Sequence, residues 1–162
     1  MLAVADTGPL HYLILIGHAD LPGHLLDRVL IPEAVRDELR NPRAPASVRS
    51  WVTSPPPWLS VGPVSSAYRD AIDGSLDDGE RAAIALALLV RPELVLIDER
   101  AGATAAQARG FVVTGTLGLL VRGARRGLLD LPAALESLAK TNFRWTATLR
   151  RRILAQYDKN TA

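Results

Sequence analysis

Two aspartates in this 162-residue chain stand directly behind short apolar runs: Asp6 follows Leu-Ala-Val-Ala, and Asp98 follows Leu-Val-Leu-Ile. In open α/β sheets, ligands sit outside the carboxyl ends of the strands, at the point where strand order reverses. If the two runs are neighbouring strands flanking that point, their ends lie ~4.8 Å apart and the two carboxylates can share one cation. The competing explanation is that each aspartate caps the helix after it.

Two glutamates add to the pattern. On the helix opened by Pro32, Ala34, Val35 and Leu39 define an apolar stripe. Glu38 lies at i+4 from Ala34 and i+3 from Val35, so it falls along that stripe. A carboxylate there costs free energy unless it is paired, bound to metal or able to reach water at the stripe's edge. Glu80 heads a second helix whose stripe continues through Ala83, Ile84, Ala87 and Leu88. Favourable placement of an acid at a helix N-terminus explains Glu80 equally well, and Asp77 and Asp78 compete for any functional role. Glu99, beside Asp98, is either an outer ligand or a solvent-facing acid.

Four acids gathered from four segments repel one another unless divalent cations neutralise them, which makes Mg²⁺ or Mn²⁺ the natural occupant. The matching chemistry is phosphodiester hydrolysis by a metal-activated water, with no serine or cysteine nucleophile. The chain has no cysteine, so disulfides, thiol catalysis and cysteine-ligated zinc are excluded. His11, His18 and His24 do not stand at a metal-ligand spacing, which leaves oxygen donors and a hard cation.

The net charge is +2, but it is divided unevenly. Residues 1–99 carry 8 basic and 14 acidic side chains, whereas residues 100–162 carry 11 and 3. An oxygen-rich metal site beside a polyanion-binding face would give that split, and so would an arginine-rich compositional bias. The N-terminus has no basic leader and no apolar run reaches ~18 residues, so no membrane span and a cytoplasmic location are expected.

The elements that must position these acids alternate along the chain. Short apolar runs at Leu2–Ala5, Arg28–Ile31, Trp58–Val61, Leu94–Ile97 and Phe111–Val113 read as strands. Helical patterns fall at Pro9–Ile16, Pro32–Arg40, Ser47–Val52, Ser65–Ile72, Gly79–Val90, Glu99–Arg109, Thr116–Arg126, Leu131–Lys140 and Thr146–Tyr157. Strands without polar alternation, separated by helices, predict a parallel sheet covered on both faces.

With these segments in place the chain resembles the PIN-domain family, and within it an uncharacterised prokaryotic branch related to the VapC toxins. The residues that carry the likeness are Val4-Ala5-Asp6-Thr7-Gly8-Pro9-Leu10, Leu30-Ile31-Pro32-Glu33-Ala34-Val35 running to Glu38-Leu39, Leu76-Asp77-Asp78-Gly79-Glu80 with Ala83–Ala87, Leu96-Ile97-Asp98-Glu99-Arg100, and Val113-Thr114-Gly115-Thr116-Leu117-Gly118. The resemblance implies a three-layer α/β/α fold with a five-stranded parallel sheet of order 3-2-1-4-5. It implies one domain over residues 1–162, with a motif-bearing core at about 2–127 and C-terminal helices at about 128–158.

It further implies a Mg²⁺- or Mn²⁺-dependent endoribonuclease, an RNA substrate and a homodimer, with a toxin's role and an antitoxin protein partner in view. Carried over by position, Asp6, Glu38, Glu80 and Asp98 are the catalytic and metal-binding quartet, and Thr7 would support Asp6 through its hydroxyl. Many members carry an aspartate within the third acid's helix, whereas Glu80 heads it here. A PIN-like module that binds RNA or protein without efficient catalysis is the alternative.

Thr114-Gly115-Thr116-Leu117-Gly118 joins the fifth strand to a helix that Thr116 could cap, leaving free N–H groups for a phosphate. It lacks the full glycine spacing of a dinucleotide site, so no nucleotide cofactor is expected. Arg122, Arg125 and Arg126 could touch an RNA backbone, as could Arg144 and Arg150–Arg152, although a solvated helix face explains them as well. Trp51, Trp58 and Trp145 could stack bases, but packing is the commoner use of tryptophan. A phosphoryl-transfer enzyme with Asp6 as nucleophile fits less well, because Gly8 stands where a second aspartate is usual.

Overall fold

The computed structural model describes residues 1–161. Strands β1 (Leu2–Ala5), β2 (Arg28–Pro32), β3 (Leu59–Gly62), β4 (Leu94–Leu96) and β5 (Val113–Thr114) form one parallel sheet. Its order is β3-β2-β1-β4-β5, as the family resemblance implies. Chain order therefore reverses between β1 and β4, which pair with Ala5 opposite Leu96.

The strands read as continuous apolar runs because both faces of the sheet are buried. Ala3, Ala5, Leu94 and Leu96 face one core, covered by α1 (Thr7–Leu15), α3 (Glu33–Arg40), α4 (Ala46–Thr53), α8 (Thr116–Arg125) and α9 (Leu131–Ala139). Val4, Val95 and Ile97 face the other, covered by α6 (Asp78–Val90) and α7 (Arg100–Ala108). Each fully buried Val, Leu or Ile side chain contributes roughly 1.5–3 kcal/mol. The period-two split of β1 and β4 between these cores fixes their register, since a one-residue slip would exchange the faces.

Several boundaries differ from the sequence expectations. The segment Leu21–Leu25, for which the sequence carried no assignment, forms a short helix, α2; Pro22 sits in its first turn, where a missing N–H costs nothing. The indole of Trp58 packs where a Cβ on Gly23 would stand. The fifth strand starts at Val113 rather than Phe111, because the Phe111 N–H still closes α7 onto the Ala106 carbonyl at 3.2 Å. Ser66–Asp70 (α5) is shorter than predicted, and Ala147–Thr161 (α10) runs past Tyr157. Trp51 and Trp58 pack against the larger core 5.9 Å apart, and Trp145 packs against it between Phe143 and Arg150; all three are used in packing. Among the described residues no helix is long and apolar enough to cross a membrane.

Candidate metal centre at the sheet's carboxyl edge

Asp6 is the residue after β1, and its N–H donates to the Leu96 carbonyl of β4 at 2.8 Å. It occupies the N-cap position of α1, yet its side chain makes no capping hydrogen bond. The carboxylate is therefore not explained as a cap. Only 6% of the residue is exposed. Burial is the largest influence on its carboxyl, and despite the opposing Thr7 N–H it is pushed up to about 8, with Asp77, Glu38 and Glu80 adding repulsion.

Glu38 approaches from α3. Val35 and Leu39 are fully buried, but Glu38 itself lies exposed at the edge of the stripe rather than within it. Its carboxylate turns into the cleft all the same, where the Thr7 hydroxyl donates to Oε2 at 2.6 Å. This corrects the role expected of Thr7, whose hydroxyl supports Glu38 and whose backbone N–H favours ionised Asp6. Loss of water raises the Glu38 carboxyl above its ordinary range, and Asp77 and Asp78 reinforce the shift against Thr7.

Gly79 opens the space between these two acids. A Cβ on Gly79 would stand 2.5 Å from Glu38 Oε1 and 3.0 Å from Asp6 Oδ1, so both oxygens face one point that any larger residue would fill. This is a close approach for which glycine is required. Asp77, at the N-cap of α6, accepts from the Glu80 N–H at 2.7 Å and lines the same cleft.

Asp98 lies two residues past β4 and is held by Thr116. The Thr116 N–H donates to Oδ1 and its hydroxyl to Oδ2, each at 2.7 Å. Burial raises the Asp98 carboxyl, and those two bonds draw it back. Thr116 is fully buried and does not cap α8 as expected; Asp98 supplies the acceptor from another segment. Thr114 leans its hydroxyl over Gly118 in the first turn of α8, outside the acidic cleft.

Asp6, Glu38, Asp77, Asp98 and Glu99 thus line one cleft, with His11 and Tyr12 of α1 completing its wall. Glu80, expected as the third acid, is brought near but stands behind the cleft. Only 5% exposed, it packs towards Gly102 of α7, and its carboxyl is pushed up to about 7 by burial and then by Asp77. Glu99 is exposed at the cleft's rim. Arg122, Arg125 and Arg126 are not brought to the cleft: they occupy the C-terminal end of α8, whose N-terminus meets Asp98, and Arg126 is tied to the His24 carbonyl at 3.2 Å.

His11 and Tyr12 are cleft residues that the sequence reading did not single out for chemistry. Their signal is position alone, five and six residues after Asp6 on a helix that begins at the cleft. Burial lowers the His11 imidazole and raises the Tyr12 phenol.

The donor set suits a hard divalent cation. Every candidate ligand is a carboxylate, and an oxygen of Asp6 and one of Glu38 come together against Gly79. Among the described residues no three acids or imidazoles are grouped closely enough to chelate a single ion. Mg²⁺ does not require such a group, because it keeps several waters and is commonly held through one or two carboxylates. Asp6 and Glu38 fit that requirement, with Asp77 and Asp98 within the same cleft.

Comparison with known proteins agrees with the architecture. A family model, DUF3368, described as a PIN domain, matches residues 2–159, whereas no curated protein and no solved structure gives a significant match. With almost the whole length matched and strands in the order β3-β2-β1-β4-β5, the chain belongs to the PIN-domain family, whose members are generally nucleases.

Proposed function

We propose that this chain is a Mg²⁺- or Mn²⁺-dependent endoribonuclease that hydrolyses RNA phosphodiesters with a metal-activated water. The observation that carries the reading is the convergence of Asp6, Glu38, Asp77 and Asp98 on one cleft at the topological switch point of the sheet. Asp6 and Glu38 would hold the ion. When bound, it supplies a lowered water pKa and stabilisation of the charge that develops on phosphate and leaving oxygen.

The chain's own residues prepare that site. Thr7 fixes the Glu38 carboxylate, and Thr116 fixes Asp98 through both oxygens. The N-termini of α1, α6 and α8 direct the positive ends of their dipoles towards the acids, which offsets part of the repulsion. Burial of Asp6 keeps bulk water away from its carboxylate. The family likeness to VapC toxins supports a cytoplasmic homodimer acting as the toxin of a pair, with an antitoxin protein as partner.

Two observations favour the second reading, a binding module with weak catalysis. Both Asp98 oxygens are engaged by Thr116, and no three-carboxylate group forms among the described residues. Cleavage of defined single-stranded RNAs, with and without Mn²⁺, separates the two. The nuclease reading expects cleavage only with metal and its loss in Asp6→Ala and Asp98→Ala. Metal-independent cleavage, or equal cleavage by the variants, overturns the mechanism.

A further inference from the structure

A larger cavity adjoins the acidic cleft. It has a volume of about 970 Å³ and lies between α1, the loop after α3 and the C-terminal end of α9. Thr7, His11 and Glu38 line both spaces, so one opens into the other. Leu15 and Ile16 give it an apolar wall, Asn41 and Asn142 supply amide N–H donors while their oxygens accept from the Arg43 backbone N–H and the Tyr12 hydroxyl, and Arg43 and Lys140 stand at its edge. His11 is held edge-on against Tyr12 at 4.8 Å and contributes the one aromatic ring of the lining.

The opposite side of the cleft repeats the charge. A second cavity of about 530 Å³ shares Tyr12, Asp98 and Glu99 with the cleft and carries Arg100 and Arg144. Among the described residues, none of Arg43, Lys140, Arg100 and Arg144 has an acidic partner within ion-pair distance. Unpaired cations on both sides of a carboxylate cleft suit a polyanion that crosses it, with its reacting phosphate at the acids and the neighbouring phosphates on the cations.

We propose that the larger cavity is a nucleotide subsite. It takes the unpaired base and sugar of the nucleotide next to the scissile phosphate of a single-stranded RNA, while Arg43 and Lys140 hold that nucleotide's phosphate. The proposal rests on the nuclease reading for where the scissile phosphate lies. An open depression with an apolar wall, a ring and two amides receives a base only when that base is unstacked, as in single-stranded RNA recognition. It assigns phosphate binding to cations beside the acids rather than to Arg122, Arg125 and Arg126 at the far end of α8.

The test is binding of a fluorescently labelled single-stranded RNA of about ten nucleotides, followed by anisotropy in EDTA across a salt series. Chelation prevents metal-dependent turnover, so binding is read independently of cleavage. Arg43→Ala/Lys140→Ala is expected to lower affinity at least tenfold and to flatten the slope of log K against log salt by about 0.7, the value for one phosphate no longer neutralised. Arg122→Ala/Arg125→Ala is expected to stay within twofold of the parent chain. His11→Ala should weaken binding several-fold at unchanged salt slope, because it removes a ring and no charge.

Both cations are exposed, so their loss leaves the core intact. Parental affinity and slope in Arg43→Ala/Lys140→Ala, or an equal loss in Arg122→Ala/Arg125→Ala, overturns the subsite. If the parent chain cleaves RNA with Mn²⁺ while Arg43→Ala/Lys140→Ala binds normally, the subsite alone falls. If that variant loses binding in a chain that never cleaves, the nuclease reading alone falls.

Discussion

Replacing Asp6 by asparagine should stabilise the metal-free protein at alkaline pH. The Asp6 carboxyl rises from 3.8 to about 8 in the folded chain, mainly through burial. At 1.36 kcal/mol per pKa unit, a shift from 3.8 to about 8 makes the ionised form roughly 6 kcal/mol less compatible with the fold than the protonated one. Because the folded state holds the proton more tightly, the associated stability is complete below pH 3.8 and is lost as pH climbs through about 8. Asparagine has nearly the same shape and no charge to lose. Urea denaturation in EDTA, from pH 5 to pH 9, should therefore show the parent chain falling with pH more steeply than Asp6→Asn. The gap at pH 8 should reach several kcal/mol, or on the order of 10 °C in Tm at about 2–4 °C per kcal/mol for a domain of this size. Glu80, Glu38 and Asp98 are also raised, so part of the slope survives in the variant and the difference between the curves is the readout. Saturating Mn²⁺ should invert the order, because binding to the folded state stabilises only a chain that retains its ligand. Parallel pH curves, or a variant less stable than the parent in EDTA at pH 8, would refute the argument that burial strains the Asp6 charge.

Three further outcomes follow from the contacts around the cleft. Thr7→Val removes the hydroxyl that orients Glu38 and should weaken Mn²⁺ binding by about 10- to 100-fold, the usual effect of losing an outer-shell partner, with little change in Tm; isothermal titration calorimetry checks it. Gly79→Ala should displace Glu38 and abolish measurable Mn²⁺ binding while the far-ultraviolet circular dichroism stays that of the parent, since its Cβ would enter the gap between Asp6 and Glu38. Thr116→Val strips one of two donors from Asp98, whose carboxyl then rises further; it should cost about 1–3 kcal/mol in urea denaturation at neutral pH and less at pH 4, where Asp98 is more fully protonated.

The strand ends were legible in the sequence because their signal is local. Apolar runs ending in Asp6 and near Asp98 indicated which residues reach the carboxyl edge, and the parallel register carries them there. The family likeness, rather than periodicity, supplied the order of the strands. Contacts among side chains were less accessible. Nothing in the spacing of Thr7 and Glu38, 31 residues apart, indicated that the hydroxyl would choose Glu38 over its neighbour Asp6. Thr116 and Asp98 are 18 residues apart, and their pairing depends on β4 and β5 lying side by side. Helical periodicity put Glu38 on the correct face but could not distinguish the stripe's centre from its edge. Glu80 and Asp77 differ by less than one helical turn, and the close packing of Glu80 towards Gly102 of α7 is a tertiary effect that decides which of them lines the cleft. Arg144 was named as a possible RNA contact, but Arg43 and Lys140 were missed because they are nearly a hundred residues apart and share no motif.

The most direct measurement is the position of a bound Mn²⁺ ion, found by anomalous diffraction from crystals grown at saturating Mn²⁺. A peak within coordinating distance of the Asp6 and Glu38 carboxylates, absent from Asp6→Asn crystals, is the result predicted here. A chain that takes up Mn²⁺ elsewhere, or leaves that cleft without a peak at saturation, would contradict it.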